Sequence, residues 1–342
     1  MSQMVVEARR GAVVESRHRG HVAVVNVNRE RIAYAGDPAY YTFARSTAKL
    51  LQAIPLLEAD GDRQFQLDDK MVALVCASHN GEDAHAALAN EILQRIGLDE
   101  SALRCGVHEP FDPETANRLK KAGLPFTPLR NNCSGKHAGM LALSRLLEHS
   151  GAGVPYTSIT HPVQQLMLDT VSEMCGVPVE QIALGTDGCG VPVFAVPLEA
   201  LAYAYARLGK PDSLPGQRAE ACRRIIGAVA RQPYYVAGNE RFDTRLIEAT
   251  QGRIIGKMGA EGIFALAIPE QGWGIAVKIE DGSLRALYPA VIETLLQLDM
   301  LREEEIMQLH EFHHPVITNC HQAAVGEIHP VIELTWTGSD PQ

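Results

Sequence analysis

Strand-like patterns occupy the two ends of the chain and helix-like patterns occupy its middle, and this arrangement constrains the fold more than any other feature. Apolar and polar residues alternate through residues 4–36, with turns expected at Gly11 and Gly20. The stretches Ile263–Ile268 and Gly274–Lys278 predict a β-hairpin. We therefore predict an α/β (α+β) fold with one mainly antiparallel sheet, made from both chain termini and flanked by helices.

The middle of the chain shows helical spacing of its apolar residues. A helix is predicted over residues 42–58, with one face formed by Leu50, Leu51, Ile54 and Leu57. Pro55 lies inside this pattern and is expected either to kink the helix or to shorten it. We expect one continuous unit over residues 1–342, sheet-bearing at about 1–60 and 250–342 and mainly helical at about 61–249. Further helices are predicted at 135–147, 162–174 and 289–301, and short strands at 182–185 and 192–196.

Charge and composition argue against several classes of protein. The formal net charge of -10 repels phosphate backbones, so nucleic acid is not an expected partner. No apolar run approaches the ~18–20 residues that span a bilayer, so no membrane partner is expected either. Residues 1–10 lack a continuous apolar segment, which predicts no secretory signal and a cytoplasmic location. The 7 scattered cysteines are then expected to be reduced thiols.

Ser46 and Lys49 form an S-x-x-K motif at the start of a predicted helix. A spacing of three residues places the two side chains on one helix face. A lysine with a lowered pKa can act as the base that activates a serine hydroxyl for nucleophilic attack. Serine is also a favoured helix N-cap and lysine is common on helices, so the motif alone leaves both interpretations open.

Two further motifs gain meaning from their order along the chain. Ser78–Asn80 is an S-x-N motif and Lys257–Gly259 is a K-x-G motif, and each alone is typical of a cap or a turn. Together with the S-x-x-K motif they keep the order of the serine β-lactamases and penicillin-binding proteins, S-x-x-K, S-D-N and K-T-G. His79 replaces the aspartate and Met258 the threonine. With no export signal predicted, we expect a serine β-lactamase/penicillin-binding-protein-like fold that acts on a different substrate.

Cys133 and Cys189 lie in two segments that contain glycine, Asn131–His137 and Gly185–Gly190. Two thiolates and a nearby nitrogen ligand suit zinc, although free cysteines are more often small buried hydrophobic residues. Asp187, in the second segment, is a candidate to receive an ammonium group of a substrate, or it simply makes the turn.

The segment His310–His314 matches the zinc-peptidase motif H-E-x-x-H literally. Pro315 disfavours helical geometry at the residue before it. The first and last histidines of the motif are therefore not expected to share one helix face, and we predict no zinc-peptidase site in this segment.

The motifs in combination resemble one family, the asparaginase II family of rhizobial-type or class 3 L-asparaginases. The resemblance runs from about residue 5 to the C-terminal region, and the combination is highly specific although each piece alone is not. The matching segments are Ala44–Lys49, Cys76–Glu82, Asn132–His137, Asp187–Gly190 and Gly256–Gly262, and Val236–Asp243 is also similar to a family stretch.

The resemblance implies a β-lactamase-like fold, a homodimer, and hydrolysis of L-asparagine to L-aspartate and ammonia. It implies two serine–lysine pairs, Ser46/Lys49 and Ser78/Lys257. We expect Lys49 to take the proton of Ser46, which attacks the side-chain amide and forms an acyl-enzyme. Ser78, tuned by Lys257, is expected to pass a proton to the leaving ammonia.

The resemblance also implies a zinc ion bound by Cys133, Lys136 and Cys189, which helps to position the substrate. Lysine is an unusual ligand, because its amine must be neutral to coordinate a metal. Candidates for direct contacts with the substrate are Arg45, Asn80 and Asp187.

Two other functions stay open from the sequence. The same fold can act on glutamine, a β-lactam or another amide, and one methylene separates asparagine from glutamine, worth roughly 1–3 kcal/mol in discrimination. The chain can also be a non-catalytic amino-acid-binding or metal-binding protein on a degenerate scaffold. The intact serine and lysine residues of the three motifs argue against such decay.

Overall fold

The computed structural model of the protein describes residues 1–147 and 153–338. Its strands are β1 Gln3–Arg10, β2 Val13–Asn26, β3 Arg31–Ala35, β4 Tyr41–Phe43, β5 Ala183–Thr186, β6 Pro192–Pro197, β7 Ile255–Gly259, β8 Ile263–Ile268, β9 Trp273–Ile279, β10 Val316–Thr318, β11 Ala324–Pro330 and β12 Thr335–Trp336. Its α-helices are α1 Lys49–Glu58, α2 Gly61–Gln64, α3 Asp69–Val75, α4 Asp83–Arg95, α5 Pro113–Lys121, α6 Ser134–Leu146, α7 Pro162–Cys175, α8 Leu198–Gly209, α9 Gly216–Arg231, α10 Pro233–Ala237, α11 Phe242–Ala249, α12 Leu284–Gln297 and α13 Glu303–His313. Short 3-10 helices lie at Arg45–Ala48, Glu100–Ala102, Pro128–Arg130 and Val179–Gln181.

The chain divides into two compact units. The first unit is formed by Met1–Thr47, Val196–Lys210 and the chain from Arg245 onward. The second unit is formed by Ala48–Ala195 and Pro211–Thr244. That the chain acts as one continuous catalytic unit stays a prediction.

The first unit is built around an antiparallel sheet with the order β10-β11-β1-β2-β9-β8-β7, to which β3 adds beside β2 and β12 beside β3. Helix α8 packs on β2, β8 and β9, and helix α12 packs on β1, β8, β9 and β11. Strand β8 is buried along its whole length, which explains its unbroken apolar sequence. The prediction of one sheet made from both chain termini is confirmed, as is the hairpin of β8 and β9.

The second unit is mainly helical. Helix α1 packs on α6, α7 and α9, and helix α3 packs on α4, α6 and α9. Strands β5 and β6 form an antiparallel pair in which Ala183 lies opposite Ala195. The predicted helices at 135–147 and 162–174 are confirmed by α6 and α7, and the predicted short strands by β5 and β6.

The predicted helix at 289–301 differs from α12, which begins at Leu284 and ends at Gln297. Leu287 is buried one turn before Val291, so the apolar stripe of this helix continues on both sides of Pro289. The helix ends before the predicted point because Asp299 adopts a left-handed backbone conformation, with φ of 57°. Helix 42–58 is likewise split, into a 3-10 turn and α1, which contains Pro55.

Helix α13 ends at His313, and His314 leaves helical geometry with φ of -124° and ψ of 67°. This confirms that Pro315 prevents the H-E-x-x-H segment from forming a continuous helix. None of the helices described within residues 1–147 and 153–338 has the length and apolar character needed to cross a membrane.

Candidate active site

Two glycines on α6 let this helix pack closely against the C-terminal end of α3. A Cβ atom at Gly135 would overlap the carbonyl oxygen of Leu74, and one at Gly139 would lie 2.6 Å from Cγ1 of Val75. The two positions are four residues apart and therefore share one face of the helix. This close approach brings the first turn of α6 against the segment that follows α3, which contains Ser78.

Backbone hydrogen bonds fix the Ser78 segment on two sides. The amide of Ser78 donates to the carbonyl oxygen of Val236 at 2.9 Å, and the amide of His79 donates to that of Asn132 at 3.3 Å. Ser78 itself is buried, with an exposed fraction of 4%. The serine of the S-x-N motif is therefore held in place by segments that are far apart in the sequence.

His79 connects two segments through hydrogen bonds and is uncharged. Its Nδ1 accepts a hydrogen bond from the amide of Gly81 at 3.1 Å, and its Nε2 lies 2.9 Å from the hydroxyl of Ser134. Burial, together with the nearby His85 and Lys49, holds the pKa of His79 well below its usual 6.5. The neutral imidazole thus ties the S-x-N motif to the first residue of α6, at the place where an aspartate stands in the β-lactamase motif.

Lys49 makes the central contact of the site. Its side-chain nitrogen donates to the carbonyl oxygen of Ala77 at 2.6 Å, to the hydroxyl of Ser78 at 2.8 Å and to the sulfur of Cys133 at 3.1 Å. The side chain is 1% exposed, so these bonds form away from bulk water. A buried lysine at hydrogen-bonding distance from a serine hydroxyl has the geometry for exchanging a proton with it.

The sulfur of Cys133 also belongs to a second cluster of side chains. One ligand atom from each of Cys133, Asp187 and Cys189 lies within 4.8 Å of the others. The nitrogen of Lys136 donates to the sulfur of Cys189 at 3.0 Å and lies 3.9 Å from a carboxylate oxygen of Asp187. The structure thus brings together all three predicted zinc ligands and adds Asp187.

The protonation of this cluster is shared among its members. A hydrogen bond from Cys189 outweighs the effect of burial and, with Lys49 and Lys136, holds the pKa of Cys133 well below its usual 9.0. The same hydrogen bond and burial raise the pKa of Cys189. Burial disfavours the ammonium of Lys136, but Cys133, Cys189 and Asp187 raise its pKa overall. Cys133 is therefore the thiolate of the pair.

These donors fit a zinc ion. Two sulfur atoms, one amine nitrogen and one carboxylate oxygen form a set of four groups that suits tetrahedral zinc. Lys136 and Cys189 would both have to lose their protons on binding, so zinc affinity should depend on pH. The turn that carries Cys189 is fixed by hydrogen bonds from Asp187 to Val191 and from Gly190 to Asp187, both at 2.8 Å.

Sequence inspection assigned no role to Glu82, which proves to clamp the segment around residue 238. Its carboxylate accepts from the backbone amide of Asn239 at 3.0 Å, from the side-chain amide of Asn239 at 3.0 Å and from the hydroxyl of Tyr234 at 2.9 Å. A Cβ atom at Gly238 would lie 2.6 Å from Oε1 of Glu82, so only glycine fits there. Both partners of this clamp lie in segments that resemble the family, Cys76–Glu82 and Val236–Asp243.

Asn80, a predicted substrate contact, is buried and already engaged. Its amide nitrogen donates to the carbonyl oxygen of Asn239 at 3.1 Å, and its amide oxygen accepts from Arg241 at 2.9 Å. These bonds join the S-x-N motif to the clamped segment. A direct role of Asn80 in binding substrate stays a prediction.

In the first unit, Arg45 and Ser46 lie in a tight turn beside β7. Arg45 has a left-handed φ of 48°, an uncommon and strained conformation for a residue with a side chain. A Cβ atom at Gly259 would lie 3.1 Å from the carbonyl oxygen of Ala44 and 3.2 Å from Cβ of Arg45. The K-x-G strand therefore runs directly against the turn that presents Ser46.

A hydrogen bond from α8 holds the turn that contains Arg45 and Ser46. The hydroxyl of Tyr205 donates to the carbonyl oxygen of Thr47 at 2.7 Å, and the hydroxyl of Thr47 donates to the carbonyl oxygen of Ala44 at 2.6 Å. Lys257 is fully buried in β7, and its nitrogen donates to the carbonyl oxygen of Met258 at 2.8 Å. Ser46 and Lys257 are thus both placed by rigid elements of the first unit.

The predicted site residues fall into two groups. The second unit brings together Lys49, Ser78, Cys133, Lys136, Asp187 and Cys189, while the first unit holds Arg45, Ser46 and Lys257. Within the second unit, Lys49 contacts Ser78 directly, a contact that the sequence did not predict. The functional pairings Ser46/Lys49 and Ser78/Lys257 stay predictions.

Comparison with known proteins assigns the chain to a family. Solved structures similar to it include a β-lactamase from Mycobacterium bovis, at 16% identity and a TM-score of 0.42 over 82% of this chain and 95% of that one. Another is Mglu in its native form, at 14% identity and a TM-score of 0.38 over 84% of this chain and 67% of that one. Comparison with curated proteins gives no match. The L-asparaginase II family model matches residues 6–330, so the chain belongs to the L-asparaginase II family, which places it among the amidohydrolases.

Proposed function

We propose that the protein hydrolyses the side-chain amide of L-asparagine to give L-aspartate and ammonia, through an acyl-enzyme formed on a serine. The observation that carries the proposal is the buried hydrogen bond of 2.8 Å from Lys49 to Ser78. It joins the lysine of the S-x-x-K motif to the serine of the S-x-N motif, so the two motifs belong to one buried hydrogen-bonded group. Membership of the L-asparaginase II family supports an amide as the substrate.

Ser46 is the nucleophile in this proposal. Lys49 takes the proton of the Ser46 hydroxyl, and the hydroxyl oxygen bonds to the carbon of the substrate's side-chain amide. The carbon–nitrogen bond then breaks, and the nitrogen leaves as ammonia with one added proton. Water next attacks the β-aspartyl ester, which releases aspartate and returns the proton to Ser46. The strained turn at Arg45 supports this role, because such strain is common beside reactive residues.

Ser78 and Lys257 are proposed to carry the proton to the leaving nitrogen. The contact between Lys49 and Ser78 supports a continuous route, because the base that receives the Ser46 proton is already hydrogen bonded to Ser78. Lys257 is fully buried in β7, so its side-chain nitrogen is shielded from bulk water.

Arg45 and Asp187 are proposed to bind the α-carboxylate and the α-ammonium group of asparagine. Zinc is proposed to bind to Cys133, Lys136 and Cys189, with Asp187 beside them. When bound, the ion would act as a Lewis acid that holds a polar group of the substrate. Cys133 touches both clusters, so the metal ligands and the Lys49–Ser78 pair are positioned by the same side chain.

A homodimer and a cytoplasmic location complete the proposal, both taken from the sequence. Light scattering on the purified chain tests the first, and a mass of one chain would contradict it. Localisation of a tagged chain in its own cells tests the second.

The decisive experiment is ammonia release from L-asparagine and from L-glutamine by the wild type and Ser46→Ala. We expect release from asparagine that is lost in the variant while the circular dichroism spectrum is unchanged. Thr47→Ser, one residue along the same turn, is the matched control and should retain activity. Ammonia release from glutamine alone would show that glutamine is the substrate. Activity retained by Ser46→Ala would show that Ser46 is not the nucleophile. Binding of asparagine without turnover would show that the protein is a binding protein.

A further inference from the structure

We propose that His314, Glu327 and His329 form a second metal site in the first unit, which binds a zinc-class divalent cation and fastens the end of α13 to strand β11. One ligand atom from each of the three side chains lies within 4.8 Å of the others. The site lies outside every motif that the proposed reaction uses, and the inference is independent of that reaction.

The backbone explains why these residues meet. Glu327 and His329 are two residues apart on β11, so both side chains leave the same face of the strand. His314 follows α13, and the next residue accepts a hydrogen bond through its carbonyl oxygen from the amide of Ile328 at 2.9 Å. The non-helical backbone of His314 thus carries its ring to the strand, with the two imidazole centroids 5.4 Å apart.

An unsatisfied nitrogen marks the site. Nδ1 of His329 is shielded from solvent and makes no hydrogen bond within the described part of the chain. The nearest carboxylate oxygen, from Glu327, is 3.5 Å away, which is too far for a good hydrogen bond. Leaving a buried imidazole nitrogen unpaired is costly, and a cation held between the two side chains would satisfy both.

Charged residues near the proposed site have other partners. His313 is engaged elsewhere, since its Nε2 lies 2.9 Å from a carboxylate oxygen of Glu293. Arg9 lies opposite Glu327 on strand β1, but its guanidinium group bonds to Glu7 at 3.0 Å. Glu7, opposite His329, also pairs with Arg17 at 3.4 Å.

The donor set identifies the class of ion. Two imidazole nitrogens and one carboxylate oxygen suit zinc and related transition metals, whereas calcium and magnesium prefer oxygen donors alone. Three protein ligands leave the fourth tetrahedral position to water. The other cluster, around Cys133, offers sulfur donors, so the two sites are chemically distinct.

Equilibrium dialysis of the full chain against zinc tests the proposal. We expect His329→Gln to bind about one zinc ion fewer per chain than the wild type, and Glu327→Gln to bind this ion at least about tenfold more weakly. His310→Gln is the matched control. The ring of His310 lies 5.7 Å from that of His314, but His310 is not one of the three residues of the proposed site. This control should bind as much zinc as the wild type.

A second measurement separates the two clusters. Zinc should raise the melting temperature of Cys133→Ser, which keeps the histidine site, and should raise that of His329→Gln less than that of the wild type. Equal zinc stoichiometry and affinity in His329→Gln and the wild type would overturn the proposal. An equal loss in His310→Gln would also overturn it, because zinc would then be bound by histidines in general. Circular dichroism of each metal-free variant confirms that it is folded.

Discussion

Two buried lysines of the candidate site, Lys49 and Lys257, are held in different ways. Lys49, in the second unit, donates to three groups that come from two distant segments, at Ala77, Ser78 and Cys133. Lys257, in the first unit, lies in an edge strand and donates to the carbonyl oxygen of the next residue. Lys49 is therefore held by contacts with distant segments, whereas Lys257 also bonds to its own strand.

A sequence motif can therefore identify a functional residue without predicting which groups surround it. Lys49 shares hydrogen bonds with a thiolate and a serine, so replacing it removes a partner from two buried groups. Lys257 is fully buried in β7, where Ala265 of β8 lies opposite, and methionine has a side chain of similar length. The two lysines should therefore respond differently to the same substitution.

The largest effect is expected from Lys49→Met. We expect it to lower kcat for asparagine by about 10⁴-fold or more. It should also lower the free energy of unfolding of the metal-free protein by about 3 kcal/mol, because Cys133 and Ser78 lose a hydrogen-bond donor in a buried place. Urea unfolding and steady-state kinetics measure the two quantities.

Lys257→Met is the matched variant. It should lower kcat strongly if Lys257 relays protons, yet change the free energy of unfolding by less than about 1.5 kcal/mol, since methionine fills a similar volume. Equal losses of stability in Lys49→Met and Lys257→Met would contradict the proposed difference between the two lysines. A wild-type kcat in Lys257→Met would show that Lys257 takes no part in the reaction.

Much of the fold followed from periodicity. The strand-like pattern through residues 4–36 and the apolar runs of β8 and β9 predicted the sheet correctly. The turn predicted at Gly20 was wrong, because β2 runs through this residue, and consecutive residues are buried from Gly20 to Val25. Strands β10, β11 and β12 were not predicted, and neither was α13. The three strands are short or half-buried, so burial leaves no clear alternation in their sequences.

The site was predictable as a set of residues but not as a set of contacts. Motif order singled out Ser78 and Lys49, whereas the place of Cys133 beside them depends on how closely α6 approaches α3. That approach is set by Gly135 against Leu74, a contact between residues 61 positions apart that no local pattern encodes. The clamp by Glu82 was missed for the same reason.

A smaller effect is expected from removing the thiolate that Lys49 contacts. Cys133→Ala, or removal of metal with a chelator, should raise KM for asparagine more than it lowers kcat, because the metal is proposed to position the substrate. Couplings between bound groups are typically about 5- to 150-fold, and we expect KM to rise within this range. Kinetics with and without added zinc, together with metal analysis, measure the effect.

The control for that experiment is Cys105→Ala, which removes another buried thiol. Burial raises the pKa of Cys105 to about 12, so it is a neutral thiol and not a metal ligand in the cluster. A fall in kcat at unchanged KM in Cys133→Ala would show that the thiolate serves Lys49 and not the substrate, which would sharpen the comparison of the two lysines.

Packing between helices offers a further test of how the Lys49 environment is made. Gly135→Ala should destabilise the protein by about 1–3 kcal/mol, because the new methyl group would overlap the carbonyl oxygen of Leu74 and push α6 away. Activity should fall as well, since Cys133 and Ser78 would move apart. Gly216→Ala, at the start of α9, is the control, because a Cβ atom there meets nothing within 4 Å. A melting temperature for Gly135→Ala as high as that of Gly216→Ala would contradict the packing argument.

The smallest effect is expected in the first unit, from Tyr205→Phe. The variant removes the hydrogen bond of 2.7 Å to the carbonyl oxygen of Thr47 and leaves that oxygen unpaired in a buried place. We expect a loss of about 0.5–1.5 kcal/mol in the free energy of unfolding. Because this bond anchors the turn that presents Ser46, kcat should fall while the zinc content stays unchanged, since the Cys133 cluster belongs to the other unit. Loss of zinc in Tyr205→Phe would show that the two lysine environments are coupled more tightly than their separate hydrogen bonds indicate.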